Sequence, residues 1–103
     1  MFLKVIRIKP RSGAEHALAQ SIDRLLIPMA RSSTDLIQVY PGQRIDQATG
    51  EFVFATVWTD EACARSFCAG GAPDEQRYLV ESWSAEIYEI FGVHGAAWLS
   101  IEV

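Results

Sequence analysis

The amino-acid order predicts an α+β domain of the split βαβ, ferredoxin-like kind with an antiparallel sheet, and three observations predict it. Extended and helical runs alternate as strand, helix, strand, strand, helix, strand within about ninety residues. The middle pair of strands, LIQVYPGQRI and EFVFATVW, is joined by a short turn-forming segment, as an antiparallel hairpin requires. The helical runs carry apolar residues on one side, which suits helices laid on one face of a sheet. The other face is then left for something else to cover.

The opening run FLKVIRIKP alternates. Phe2, Ile6 and Ile8, with Lys4, share one face, while Leu3, Val5, Arg7 and Lys9 share the other. Pro10 has no N–H to give to a ladder and stops the strand. Ser12 followed by Glu15 fits a capping box and marks a helix start. From there Ala14, Leu18, Ile22, Leu25 and Met29 form an apolar stripe, and Pro28 is expected to kink or end the helix. ARSST then reads as a loop.

Residues 36–45 and 52–58 are the next two strands, connected around DQATGE. Pro41-Gly42 demotes the second strand to an edge and predicts a bend there. FVFATVW is the most apolar and β-prone run and is expected to be central. Thr59-Asp60 caps a second helix, whose buried side includes Ala62, Cys63 and Phe67. Gly70-Gly71 breaks it, and Pro73 opens a further short helix through DEQRYLVESW. A last core strand is expected over 85–91. Beyond it Ala97, Leu99, Ile101 and Val103 alternate with polar or aromatic neighbours, which predicts an additional strand within 95–103 that pairs with a sheet edge of its own or a partner subunit.

The chain of 103 residues makes a single domain, 1–103, with its core in 2–91. Half of it is hydrophobic and only 21% is charged. For so small a domain that leaves surplus apolar surface, most simply covered by a second copy, so a homodimer is expected. The net charge of −4 and the scattered basic residues argue against nucleic acid. No run is apolar enough for a signal peptide or a membrane helix, so a cytoplasmic protein without membrane association is expected. Cys63 and Cys68 have neither metal nor redox spacing and read as packing residues.

The junction FATVWTDEACARSF, together with FLKVIRIKP and SGAEHALAQSIDRLL, resembles the dimeric α/β-barrel superfamily, and within it the antibiotic biosynthesis monooxygenase-like domains. The matching residues at the strand–helix junction are Val57, Trp58, Thr59, Asp60 and Ala62. The resemblance implies a barrel closed by two open sheet faces, a small-molecule pocket in each subunit, and cofactor-independent oxygenation of quinols or anthrones. It also admits non-catalytic ligand binders and acid–base isomerases. The family also includes a haem-degrading branch, whose Asn, Trp and His positions fall here on Arg7, Phe67 and, approximately, Arg77, so that all three differ. An arginine has no free lone pair for iron. No metal and no cofactor is therefore expected.

Arg7, on the face that the resemblance assigns to the pocket, is a candidate catalytic residue; a salt-bridged arginine at a subunit boundary is the other reading. His94, in a turn between Gly92 and Gly95, is the second catalytic candidate, since a histidine can deprotonate a phenol near neutral pH. His16 reads as solvated. Trp58, Phe67, Tyr78 and Tyr40 are candidates to sandwich a small apolar or aromatic ligand, or else belong to core and interface. Arg77 with Tyr78 forms a candidate lid.

Overall fold

The computed structural model describes residues 1–46 and 50–92. Four strands, β1 (Phe2–Pro10), β2 (Leu36–Gln43), β3 (Phe52–Trp58) and β4 (Val80–Glu89), form one antiparallel sheet in the order β2-β3-β1-β4. Helix α1 (residues 15–31) lies between β1 and β2, and helix α2 (Glu61–Ser66) follows β3. This is the ferredoxin-like arrangement. The two central strands are the two most apolar runs, because a strand paired on both edges is also the one most fully covered.

Directly paired residues share a face of the sheet. Ile6 opposite Phe54 and Ile8 opposite Phe52 therefore point together towards the helices, where all four are buried. Leu18, Ile22 and Leu26 of α1 and Ala64 of α2 close over them. On the other side of the sheet lie Leu3, Val5, Val53, Ala55 and Val57, half-buried and covered by no element of the described chain.

Helix α1 departs from the expected stripe. It begins as α-helix over Glu15–Ser21, widens into a π-helix over Ile22–Leu26 and returns to α-helix over Ile27–Arg31. In the wide turn the Ile27 N–H reaches back five residues to the Ile22 carbonyl. The buried positions are Leu18, Ile22, Leu26 and Ala30, a strict step of four. On a regular helix of 3.6 residues per turn such a step drifts around the axis. The extra residue in the π turn absorbs that drift and brings Leu26 inward in place of Leu25, leaving Met29 exposed. The same loosening lets the helix run through Pro28, whose ring would otherwise press on the carbonyl four residues back.

Other elements differ in ways with local causes. The capping box does not form: Gly13 has φ +83°, a non-helical value, so the helix starts only at Glu15, with Ala14 rather than Ser12 at its N-cap. Pro41 sits on an edge strand as expected, but the irregularity of β2 falls between Leu36 and Gln38, and Pro41-Gly42 pairs in register with Phe54 and Val53. The hairpin ladder continues to Arg44, whose N–H donates to the Glu51 carbonyl at 2.8 Å. The short helix expected from Pro73 shrinks to one 3₁₀ turn, Arg77–Leu79, and β4 starts at Val80. Trp83 is thus a strand residue opposite Ile8. Nine residue pairs with β1 outweigh the weak helical spacing there. The expected strand within 95–103 lies outside the described residues.

Because the π turn decides which apolar residue is buried, Leu26→Ala should cost about 2–5 kcal/mol in urea unfolding, as cavity-forming core truncations do. Met29→Ala should stay within about 0.5 kcal/mol, as exposed substitutions do. Equal losses would mean that the stripe follows a regular α-helix after all.

Candidate functional site

Lys4 occupies an inward position of β1, between Thr56 of β3 and Ile87 of β4. It is 3% exposed, and among the described residues no other charged side chain is buried. Its Nζ donates to the backbone carbonyl of Phe67, the residue that terminates α2. Among the described residues it forms no ion pair. Burial without a carboxylate disfavours the ammonium form, so desolvation holds the Lys4 pKa below its ordinary value.

The backbone around Lys4 is tied to an aromatic wall. The Trp58 indole N–H donates to the Thr56 hydroxyl at 2.7 Å, and that hydroxyl donates to the Lys4 carbonyl at 3.3 Å. A hydroxyl is suited to this middle place because it both accepts and donates. Phe67 lies 5.4 Å from Trp58 and 6.2 Å from Phe54, ring centre to ring centre, so the three rings fill the space between sheet and α2. One side of the Lys4 position is therefore rigidly packed.

The other side is open. A cleft of about 300 Å³ runs between the turn after α2 and strand β4, lined by Lys4, Cys68, Arg65, Trp83, Ala85 and Ile87 among others. Cys68 has φ +53°, a conformation that a residue with a side chain adopts at some cost in strain. Burial raises the Cys68 thiol pKa, with Lys4 pulling the other way. Cys63 behaves differently. Its thiol donates to the Asp35 carboxylate at 3.3 Å and is pushed up to about 11, chiefly by that hydrogen bond. Asp35 also accepts from the Thr59 hydroxyl at 3.0 Å, so it fastens the start of β2 to the start of α2. Thr59 and Asp60 stand at the expected helix start, but neither side chain caps it.

The residues singled out in the sequence separate into three places. Trp58 and Phe67 are buried beneath α2, beside Lys4. Arg7 and Tyr40 lie on the opposite, open face, Arg7 opposite Val53 and Tyr40 opposite Ala55. There the Arg7 guanidinium pairs with Glu86, which also accepts from the Tyr88 hydroxyl. The Arg7 bond, with the Tyr88 bond second, holds the Glu86 pKa below the usual carboxylate value. Arg7 also borders a hollow of about 420 Å³ with Arg44 and Glu51. Arg77 and Tyr78 sit on the 3₁₀ turn, where Arg77 Nε donates to the Ala72 carbonyl at 3.1 Å and Tyr78 is 70% exposed. His94 lies outside the described residues. Lys4 is the member that sequence reasoning passed over, although its place on the face of Phe2, Ile6 and Ile8 was the signal.

Among the described residues no group of acidic, histidine and cysteine side chains could hold a metal ion. None of their helices is long and apolar enough to cross a membrane.

No protein-family model and no curated protein sequence matches the chain. Solved structures do. A candidate antibiotic biosynthesis monooxygenase from Deinococcus radiodurans superposes with a TM-score of 0.76 at 15% identity, covering 92% of this chain and 97% of its own. SnoaB, a cofactor-independent oxygenase from Streptomyces nogalater, gives 0.70 at 16% identity, with 89% and 94% covered. MhuD, solved with two manganese protoporphyrin IX molecules in each active site, gives 0.72 at 13% identity, with 93% and 100% covered. The chain carries the ferredoxin-like α+β fold of the antibiotic biosynthesis monooxygenase-like domains.

Proposed function

We propose that the protein is a cofactor-independent monooxygenase-like enzyme for a small aromatic or quinol-type substrate, with the cleft beside Lys4 as its site. The observation that carries this reading is the buried, carboxylate-free Lys4 amine at the edge of a cleft that Trp83 and Ile87 also line. Burial favours the neutral amine, the form that accepts the proton of an acidic phenol or enol. The ammonium so formed stays beside the substrate anion in a low-dielectric setting, where the pair is worth more than in water. The electron-rich anion then reduces O₂ directly. For an anthrone, one oxygen atom enters the ring carbonyl and the other leaves as water. Trp83 and Ile87 supply a surface for a flat ring.

Removing the general base should lower oxygen uptake by about 10²–10⁴-fold. The assay is oxygen consumption by the metal-free protein against a panel of anthrones, quinols and catechols, with Lys4→Met, Arg7→Ala and His94→Ala beside the wild type. Loss confined to Arg7→Ala or His94→Ala would move the site away from the cleft. A second reading, a non-catalytic binder of small apolar ligands, draws support from Trp58 and Phe67, which fill the core instead of lining the cleft. Ligand binding without oxygen uptake would favour it, and turnover without oxygen consumption would favour an isomerase.

The sign of the pH dependence follows from the direction of the Lys4 shift. Between its lowered value and the ordinary 10.5, the unfolded chain holds a proton that the native lysine has released. Native stability therefore rises with pH through that window relative to a protein lacking the lysine. The buried Cys68 thiol opposes this, but it does so in both proteins. The Tm of the wild type should climb relative to that of Lys4→Met as pH approaches 10.5. A difference independent of pH would show an ordinary lysine.

The open sheet face supports a homodimer. Its centre is apolar, and the acid–base contact of Arg7 with Glu86 is neutralised within the same face. Such a face can meet a copy of itself without stranding a charge. In this reading Arg7 and Tyr40 belong to the interface, and residues 95–103 seal an edge of the closed barrel. Light scattering should give twice the chain mass, and deletion of 95–103 should weaken association. A monomeric mass in dilute solution would sink the idea.

A further inference from the structure

We propose that Lys4 is a carbonyl-trapping amine: the cleft admits a small aldehyde or ketone, which condenses with Lys4 Nζ to a Schiff base. The inference rests on the cleft as the site and on a lysine whose ammonium form is disfavoured by burial, but not on any chemistry of oxygen.

Three features carry it. The first is position. Lys4 is 3% exposed yet lines a cleft of about 300 Å³, so the amine is shielded from bulk water while a small molecule can reach it. The second is the hydrogen-bond arrangement. One N–H is engaged by the Phe67 carbonyl, an acceptor that carries no charge, and no carboxylate among the described residues holds the group as an ammonium ion. A neutral amine fixed by one of its hydrogens retains a lone pair for a carbonyl carbon. The third is the company it keeps. Cys68 lines the same cleft and its buried thiol is favoured in the protonated form, which suits it to give a proton to a leaving hydroxyl. Trp83, Ala85 and Ile87 give the cleft an apolar stretch beside the polar Arg65 and Ser84, which fits a flat carbonyl compound.

The step balances without an oxidant. The nitrogen lone pair attacks the carbonyl carbon, and the amine proton passes to the carbonyl oxygen, giving a carbinolamine. Protonation of its hydroxyl by Cys68 expels water, and loss of the remaining N–H proton back to the thiolate leaves the imine. One carbonyl and one amine become one imine and one water. Nothing is oxidised or reduced.

The sequence provides its own control, since Lys4 and Lys9 are the only two lysines of the chain. Lys9 is exposed and paired with Glu81 at 3.1 Å. The experiment incubates the full chain with benzaldehyde and sodium cyanoborohydride near neutral pH under nitrogen. Hydride adds to the imine carbon and fixes it as a secondary amine, which tandem mass spectrometry of the digested chain assigns to Lys4, Lys9 or the N-terminal amine. Label on Lys4 should exceed that on Lys9, because the neutral fraction of an amine near neutrality rises as its pKa falls. Lys9→Arg should keep this labelling. Cys68→Ala should slow it while leaving the Lys4 preference intact. Label confined to Lys9 or the N-terminus, or equal on both lysines, would overturn the proposal. Trapping without oxygen uptake in the separate assay upholds it and removes the oxygenase reading. Oxygen uptake without trapping makes Lys4 a base only and overturns it.

Discussion

Ile6 faces Phe54 across the central strand pair, and that single register sorts every side chain of the sheet. A slip of one residue would send Ile6, Ile8, Phe52 and Phe54 to the uncovered side and bring Val5, Arg7 and Val53 beneath the helices. Each large apolar side chain that would be lost from the core is worth roughly 1.5–3 kcal/mol, so the register is strongly held. It is also what places Lys4 inside. Once Phe2, Ile6 and Ile8 point inward, the period of the strand leaves Lys4 no other direction.

The fold thus carries a polar group where its own pattern calls for an apolar one. Such a group persists when something satisfies it, and here that is partial: a carbonyl at the end of α2 takes one hydrogen, while the charge finds no counter-ion among the described residues. The two halves of the sheet differ in the same respect. On the open face Arg7 meets Glu86, and the pair is electrically complete. On the helix face Lys4 stands alone beside a space. Chemistry that needs an uncompensated amine has one place to occur among the described residues, and chemistry that needs a neutral, self-matching surface has the other.

Much of the architecture was legible before any coordinates because it rests on period and on chain connectivity. The alternation of FLKVIRIKP and FVFATVW, and the proline that confines β2 to an edge, depend on residues near one another in sequence. The start of β4 was not legible. Tyr78, Leu79 and Trp83 have a spacing that suits a helix, and only pairing with β1, some seventy residues away, makes Val80–Glu89 a strand. The capping box failed for a reason carried by one residue, the positive φ of Gly13. The site was half legible: Trp58 and Phe67 were recognised as aromatic neighbours, but their role is to pack the space around Lys4. A lysine in an amphipathic strand is ordinarily read as solvated, so burial of its head group had no local signal beyond its parity with Ile6 and Ile8.

The wide turn in α1 has a consequence for how this chain is compared with others of its fold. A π turn holds one residue more than the α turn it replaces, so within the helix it acts as an insertion that no loop records. A relative with a regular helix would align with this chain on one side of residues 22–26 and be out of step by one on the other. Aligned without an internal gap, its inward leucine would be matched to Leu25 or Met29 while the buried residues here are Leu26 and Ala30. At the 13–16% identity of the solved structures that share the fold, one such residue can put an alignment out of step, and the place to open a gap is inside the helix, one turn before Pro28.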